Sequence, residues 1–419
     1  MAKTVLRETT RKRLGRSGNS AGAPTTVESK AMNRSLSAAK AAKQDEFYTQ
    51  YVDIQKEVEA YLEFDPDTFR DKIVYSNCDD PFESNFFKYF ATNFNRLGLK
   101  KLITTSYDGS PIAGQYTLFP EYSEGNGKRQ KPKALAVLLE HVKDEDGDGA
   151  ANVNDVALFL KRNKAARIAL KGNDQYSGGD FRSSECIAFL KQADIVVTNP
   201  PFSLFREYVA QLFEHDKKLL IIGNLNAIKY KVVFPNFQSD KLWLGPTITS
   251  GDREFEVPDT YPLNAAGWRV DEDGTKFIRV KGVRWFTNLD HGRRHQPLNL
   301  MTMAENRKFN KKLTGKPAYD RFDNYDAIEV PFTDAILSDY DGTMGVPISF
   351  FDKYSPEQFE IIWQASGNTR ASTPASVLRQ MGYSPHPDDR GGCAILAGRR
   401  TYDRIFIRHR RSKSKGTKK

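Results

Sequence analysis

The chain has 419 residues, 63 Lys/Arg against 53 Asp/Glu, and three cysteines, Cys78, Cys186 and Cys393. That length exceeds what one hydrophobic core normally serves, so two domains, or one with a large insertion, are expected. The cysteines show neither CxxC spacing nor histidines at ligand intervals, which argues against a disulfide framework or zinc site; with no export signal and no apolar run of about 18 residues, a cytoplasmic protein without a membrane span is expected.

In chain order, residues 1–43 hold ten Lys/Arg against Glu8 and Glu28 and few large apolar groups, the composition of a disordered basic arm. A first strand is expected at residues 73–75, closing on "NCDDPF". A helix follows at 83–97, with Phe86, Phe87, Phe90, Phe94 and Leu97 at helical spacing and Gly98 as its stop. Residues 102–105 form the next strand, and residues 107–179, rich in Gly, Lys and Asp, read as an insertion. Within it "DEDGDGAANVND" (residues 144–155) matches an EF-hand calcium loop at Asp144, Asp146, Asp148 and Gly149. Asp155 stands where a bidentate Glu belongs, and Asn154 or Asp155 suits the cap of the helix "VALFLKRN", so no metal is assigned. Helix 183–191, strand 194–198, helix 204–214 and strand 218–222 continue an alternation that implies right-handed crossovers and a parallel sheet.

Beyond about residue 235 short β-like runs take over. Residues 279–316 gather ten Lys/Arg against Asp290 and Glu305, the composition of a polyanion-docking patch, and "WFTNLDHGRRHQ" adds Arg293, Arg294 and His295, types that contact phosphates and base edges. "GVPISFFDKYSPEQFEII" is expected to pack a strand and a helix begun at Ser355-Pro356. Residues 399–419 carry ten Lys/Arg against Asp403 and end in a basic tail.

The stretch "DIVVTNPPFSLF" (residues 194–205) places Asn199, Pro200, Pro201 and Phe202 at the carboxyl end of a strand, where ligands bind in open parallel sheets. An exocyclic amino group on a purine or pyrimidine is a poor nucleophile because its lone pair is delocalised into the ring. Acceptors from the Asn199 side chain and the Pro200 carbonyl would localise that lone pair toward an electrophile. Two prolines fix the carbonyl direction and donate nothing, and Phe202 offers a π face to a base outside the duplex. An isolated Asn-Pro is a common turn former; between "DIVV" and the amphipathic "SLFREYVAQLF" the motif fits methyl transfer to an amino nitrogen.

Together with "KQDEFYTQYVDIQKEVEAY", "VYSNCDDPFESNFFKYFA", "LLIIGNLNAIKY", "GVRWFTNLDHGRR" and "DYDGTMGVPISFFDKYSPEQFEII", the motif makes the chain resemble the EcoRI-type adenine-specific DNA methyltransferase family, from about residue 43 to the end of "RIFIR". The resemblance implies an α/β class I S-adenosylmethionine-dependent methyltransferase with a Rossmann-like sheet in residues 44–290. It implies a DNA target-recognition region in 291–400 and a final strand and basic tail in 401–419. It sets the donor, S-adenosylmethionine, against Phe47, Tyr48 and Thr49 of "DEFYT". It also sets the donor against Asn77, Cys78, Asp79, Asp80, Pro81 and Phe82, where related enzymes carry a Gly-rich loop that this chain lacks; Asp79 or Asp80 would meet the methionine ammonium. Asp108 would accept from the ribose, and Asp180 and Phe181 of "SGGDF" would meet the donor's adenine. No metal and little general-base help are expected, because the sulfonium is already a strong electrophile.

The expected function is therefore site-specific methylation of N6 of a flipped adenine in double-stranded DNA, by a monomer acting beside a cognate restriction endonuclease or alone. Related motifs also methylate RNA or a protein glutamine, and a DNA-binding protein with an inactive transferase domain is the non-catalytic alternative. The basic stretch favours a polynucleotide.

Overall fold

The computed structural model describes residues 49–79, 84–107, 134–147, 149, 152–163, 166–249, 251–257, 263, 267–367 and 369–410. Phe47, Tyr48, Asp80, Pro81, Phe82 and Asp108, named above as donor contacts, lie outside them.

Helix α1 (Tyr51–Phe64) leads into β1 (Ile73–Asn77). The helix expected at 83–97 is divided into α2 (Asn85–Thr92) and α3 (Phe94–Leu97). Ser84 caps α2 by accepting from the Phe86 N–H, and Asn93 interrupts the run because its side chain donates back to the Tyr89 carbonyl at 2.9 Å. Gly98, at φ 63°, ends α3 before β2 (Lys101–Thr105). The insertion is not a mere loop. It supplies β3 (Leu135–Leu139), α4 (Val153–Arg162) and β4 (Arg167–Ala169), with Asn152 rather than Asn154 as the α4 cap and Asp155 answering it from the third helical position.

Next come α5 (Ser184–Gln192), β5 (Ile195–Thr198), α6 (Phe205–Glu214), β6 (Lys218–Asn224), α7 (Phe234–Gln238) and β7 (Trp243–Leu244). β8 (Asp252–Val257), β9 (Trp268–Val270) and β10 (Lys276–Lys281) form a small antiparallel sheet, and β11 (Val283–Thr287) returns to the main one. The main sheet has the order β4-β3-β2-β1-β5-β6-β11-β7. Only β2, β1, β5 and β6 are mutually parallel; β3, β4, β11 and β7 add antiparallel pairings on both sides, so the wholly parallel sheet expected from the alternation is corrected to a mixed, Rossmann-like one.

The C-terminal part contains α8 (Met303–Phe309), β12 (Ala327–Glu329), β13 (Thr343–Pro347), β14 (Phe359–Ala365), α9 (Ala375–Gln380), β15 (Ile395–Leu396), β16 (Arg399–Arg400) and β17 (Arg404–His409). Four of these strands form a sheet ordered β12-β13-β17-β14. The helix expected from Ser355-Pro356 is instead one turn: the Ser355 carbonyl accepts from Gln358 and Phe359, and the chain then extends as β14 because β17 offers it a full antiparallel edge. One apolar core runs through both parts, holding Val196 and Phe286 together with Met344, Val346 and Phe350. Among the described residues no helix is long and apolar enough to cross a membrane.

Glu57 is wholly buried where α1 meets the segment after β7. Tyr61 donates to its Oε1 at 2.9 Å, and the Thr247 N–H, at 3.1 Å, and hydroxyl donate to Oε2. Burial nevertheless pushes the carboxyl from 4.5 to about 7. The native state thus binds more protons than the unfolded chain between these values. The stability this favours is full below about pH 4.5 and lost as pH rises through about 7, a swing of about 3 kcal/mol. Glu57→Gln should flatten that slope, seen as a smaller difference between urea midpoints at pH 5 and pH 8 than in the wild type.

Candidate active site

β1 pairs in parallel with β2 on one side and β5 on the other, so the direction of strand succession reverses between β1 and β5. The crevice outside their carboxyl ends is the place where such sheets bind ligands. Two of the singled-out stretches end there, Asn77 to Asp79 and Thr198 to Phe202. The Thr198 hydroxyl sits between the Asn77 carbonyl, 2.9 Å away, and the Asp79 carboxylate, and can donate to either. Asp79 also accepts from the Ser84 hydroxyl at 2.7 Å, which carries the network to the cap of α2. Tyr208, on α6, donates to the Asn77 side-chain oxygen; burial raises its phenol well above the ordinary value and keeps it a donor. The residue before Asn199 is thereby tied to the end of β1, which the α2 cap and α6 hold in turn.

Asn199 is 8% exposed and Pro200 is buried. The Pro201 carbonyl accepts from the Leu204 N–H at 3.0 Å, opening a 3-10 turn over Phe202–Leu204 that runs directly into α6. The strand, turn and helix that the motif requires are therefore present in that order.

The described residues expected to meet the donor come from three stretches: Asn77 to Asp79, Thr49, and the "SGGDF" loop. Thr49 is buried, and its carbonyl accepts from the Asn85 side chain at 2.9 Å, which brings the end of "DEFYT" to the start of α2. The "SGGDF" loop meets the end of β2 through Gly179, at φ 77°, where an added Cβ would lie 1.8 Å from the Ser106 carbonyl oxygen. Asp180 is occupied locally: its Oδ1 accepts from the Arg182 N–H (2.9 Å) and Nε (3.0 Å), and its Oδ2 from Nη2 (2.8 Å). Arg182 in turn reaches Glu207 on α6 at 2.9 Å. Phe181 is 4% exposed, its ring edge-on to Tyr208 at 5.0 Å. The structure thus gathers Thr49, Asn77, Cys78 and Asp79 about the first strand and brings Asp180 and Phe181 in from the neighbouring loop. Asp79 and Asp180 already hold protein partners, whereas Thr49 Oγ1 and Asn77 Nδ2 are buried with no hydrogen-bond partner among the described residues.

Cys78 has φ 91°, a backbone state that favours glycine. The sequence lacks a Gly-rich loop, and Cys78 adopts this state at a cost of about 1–3 kcal/mol. Cys78→Gly should hold or raise the urea midpoint, and Cys78→Val should lower stability by about 1–2 kcal/mol, since a β-branched residue suffers more at positive φ.

The basic stretch is less available than its composition suggests. Arg279 pairs with Glu254 at 3.2 Å, Lys312 with Asp334 at 2.6 Å, and Arg284 is buried against Asp352. Arg294 lies 3.8 Å over the Trp243 ring, and His295 bonds Glu357 and Asp290, which raise its pKa. Sequence reasoning passed over a different set of cations, Arg206, Lys229 and Lys231, which line a cleft of about 570 Å³. The available signal was the position of Arg206, one helical turn beyond Phe202.

In the insertion, Asp144, Asp146 and Asp155 bring one carboxylate oxygen each within 4.8 Å of one another. Backbone N–H groups satisfy much of this charge: Asn152, Glu145 and Asp146 donate to Asp155 and lower its pKa, and Gly147 and Gly149 donate to Asp144.

Comparison with known proteins agrees with this geometry. Residues 35–410 match the family described as adenine-specific methyltransferase EcoRI. The chain is 44% identical to the Type II methyltransferase M.EcoRI of Escherichia coli over 338 residues, 79% of this chain and 89% of that protein. It is 34% identical to the Type II methyltransferase M.MpnI of Mycoplasma pneumoniae over 379 residues, covering 89% of this chain and 98% of the relative. It is 35% identical to M.MgeORF184P of Mycoplasma genitalium over 326 residues, 77% and 84% of the two chains. No solved structure matches the chain. With its Asn-Pro-Pro-Phe turn seated at the strand-order reversal, the chain belongs to the EcoRI family of adenine-specific methyltransferases.

Proposed function

We propose that the protein transfers a methyl group from S-adenosylmethionine to N6 of an adenine flipped out of duplex DNA, at one recognition sequence, beside a cognate endonuclease or alone. It works in the cytoplasm as a monomer, with residues 44–290 doing the chemistry and 291–400 reading the flanking bases. The observation that carries this reading is the Asn199-Pro200 turn, buried yet placed at the mouth of the crevice between β1 and β5.

When bound, the donor supplies an electrophilic methyl group on a sulfonium. The Asn199 side-chain oxygen and the Pro200 carbonyl accept from the adenine amino group, drawing its lone pair out of the ring toward that methyl. Phe202 stacks on the flipped base. Thr198, held by Asn77 and Asp79, keeps Asn199 aimed, and the amino proton leaves after transfer, so no buried base is required. The buried Thr49 hydroxyl and Asn77 amide fit the polar end of the donor, since each would gain the partner it lacks. Phe47, Tyr48, Cys78, Asp79, Asp80, Pro81, Phe82, Asp108, Asp180 and Phe181 complete the donor contacts in this proposal.

Radiolabelled donor incubated with duplex DNA, followed by nucleoside analysis, tests it. Label is expected in N6-methyladenine; label in N4-methylcytosine, or preferential transfer to RNA or protein, would sink the assignment.

A further inference from the structure

We infer that Tyr402 is the side chain that enters the DNA stack when the target adenine leaves it; the inference rests on the proposal that the substrate is duplex DNA. Between the carboxyl edge of the catalytic sheet and the C-terminal sheet lies the cleft of about 570 Å³. Its catalytic wall carries Arg206, whose guanidinium lies 4.1 Å over the Tyr230 ring, and Lys229 and Lys231 from the segment after β6. The opposite wall includes Gln364 and Asp403, and Asp403 pairs with Lys229. Three cations against one carboxylate, with Arg206 one helical turn beyond Phe202, suit a nucleic-acid backbone approaching the site.

Tyr402 directly precedes Asp403 and is 83% exposed, the most exposed large hydrophobic side chain among the described residues. Its support is stiff. β15 and β16 form a two-residue hairpin through Ala397 (φ 48°) and Gly398 (φ 69°), both in the left-handed region such turns require. The Gly398 N–H donates to Asp323 at 2.7 Å, and the Thr401 N–H to the Ala394 carbonyl at 2.9 Å. Two residues further on, Arg404 is locked to Glu329 in a buried ion pair. Arg399 and Arg400 are exposed on the same hairpin. A ring held out from a pinned, basic ribbon beside a cationic cleft has the form of a stacking wedge. Extruding a base opens a gap in the duplex, and an aromatic face that fills it recovers the stacking energy lost.

The test uses the full chain and a duplex whose target is first located by sequencing DNA that the protein has methylated. Methyl transfer is measured on the paired duplex and on the same duplex with the target adenine opposite a mismatched base, which costs less to extrude. Fluorescence of 2-aminopurine at the target reports extrusion. Tyr402→Ala should lower kcat/KM on the paired duplex about tenfold and raise the mismatched-to-paired rate ratio by a similar factor, with a smaller fluorescence rise. Tyr402→Phe and Tyr402→Trp should keep wild-type values. Equal loss on both duplexes, no loss at all, or a Phe variant as impaired as the Ala variant would overturn the inference while leaving the substrate proposal standing. Absence of transfer to any duplex by the wild type would instead remove that proposal, and this inference with it.

Discussion

Asn199→Ala is expected to lower methyl transfer to DNA by about 10²- to 10³-fold or more, the loss seen when one preorganised electrostatic contact to a reacting group is deleted. Donor binding, measured by calorimetry, should stay within a few-fold of the wild type, because Thr49 and Asn77, proposed above to hold the donor, belong to other elements. The fold should also survive. Thr198 is anchored to Asn77 and Asp79 through its own hydroxyl, and the turn after Asn199 is held by the Pro201 carbonyl and two rigid imide rings, none of which the substitution touches. Asn199→Asp keeps one acceptor oxygen but adds a charge, and should fall between the Ala variant and the wild type. If Asn199→Ala instead unfolds the protein, or abolishes donor binding to the same degree as transfer, the side chain serves the turn and not the amino group.

The motif was legible because its chemistry and its local structure are written in adjacent residues. An apolar strand, two prolines and an amphipathic helix leave few other conformations, and the expected boundaries fall within one or two residues of β5 and α6. What stayed hidden depends on partners far away in sequence. "LAVLL" within the insertion reads equally as loop, strand or buried helix until β2 offers it an edge. Ser355-Pro356 has a helix-start signal, but the pairing of β14 with β17 outweighs it. Asp180 looks like a free acceptor until Arg182, itself steadied by Glu207 25 residues further along, closes on it. The positive φ at Cys78 has no compositional trace, since only glycine advertises that state. Part of the basic stretch is likewise answered from other segments, Arg279 by Glu254, Lys312 by Asp334, Arg284 by Asp352 and His295 by Glu357, which its composition alone does not reveal.

The pair formed by Arg284 and Asp352 carries the second large expected effect, on stability. Arg284 belongs to β11 of the catalytic sheet and Asp352 to the turn Ile348–Lys353 of the C-terminal part, so the pair ties the two together. Their side chains are 5% and 8% exposed, and the contact is two-pronged, Nε to Oδ1 at 2.6 Å and Nη2 to Oδ2 at 3.0 Å. One Nη1 N–H reaches the Val283 carbonyl at 2.8 Å and the second Nη2 N–H reaches the Thr249 carbonyl at 2.9 Å. Arg284→Met should therefore cost about 3–5 kcal/mol, because it leaves a carboxylate buried without its counter-charge. Burial already raises the Asp352 pKa, and Arg284 opposes that rise. Without Arg284 the native carboxyl is raised further above its unfolded value. The stability tied to its protonation is then present at low pH and lost as pH climbs, so the variant should be weakest at neutral pH and recover toward pH 5 in urea titrations. Combining Arg284→Met with Asp352→Leu removes both charges and should restore most of the loss, because a buried pair replaced whole by apolar groups costs little, whereas half a pair costs much. A double variant as unstable as the single one would mean that Arg284 acts through its carbonyl contacts to Val283 and Thr249, and that the ion pair is incidental to joining the two sheets.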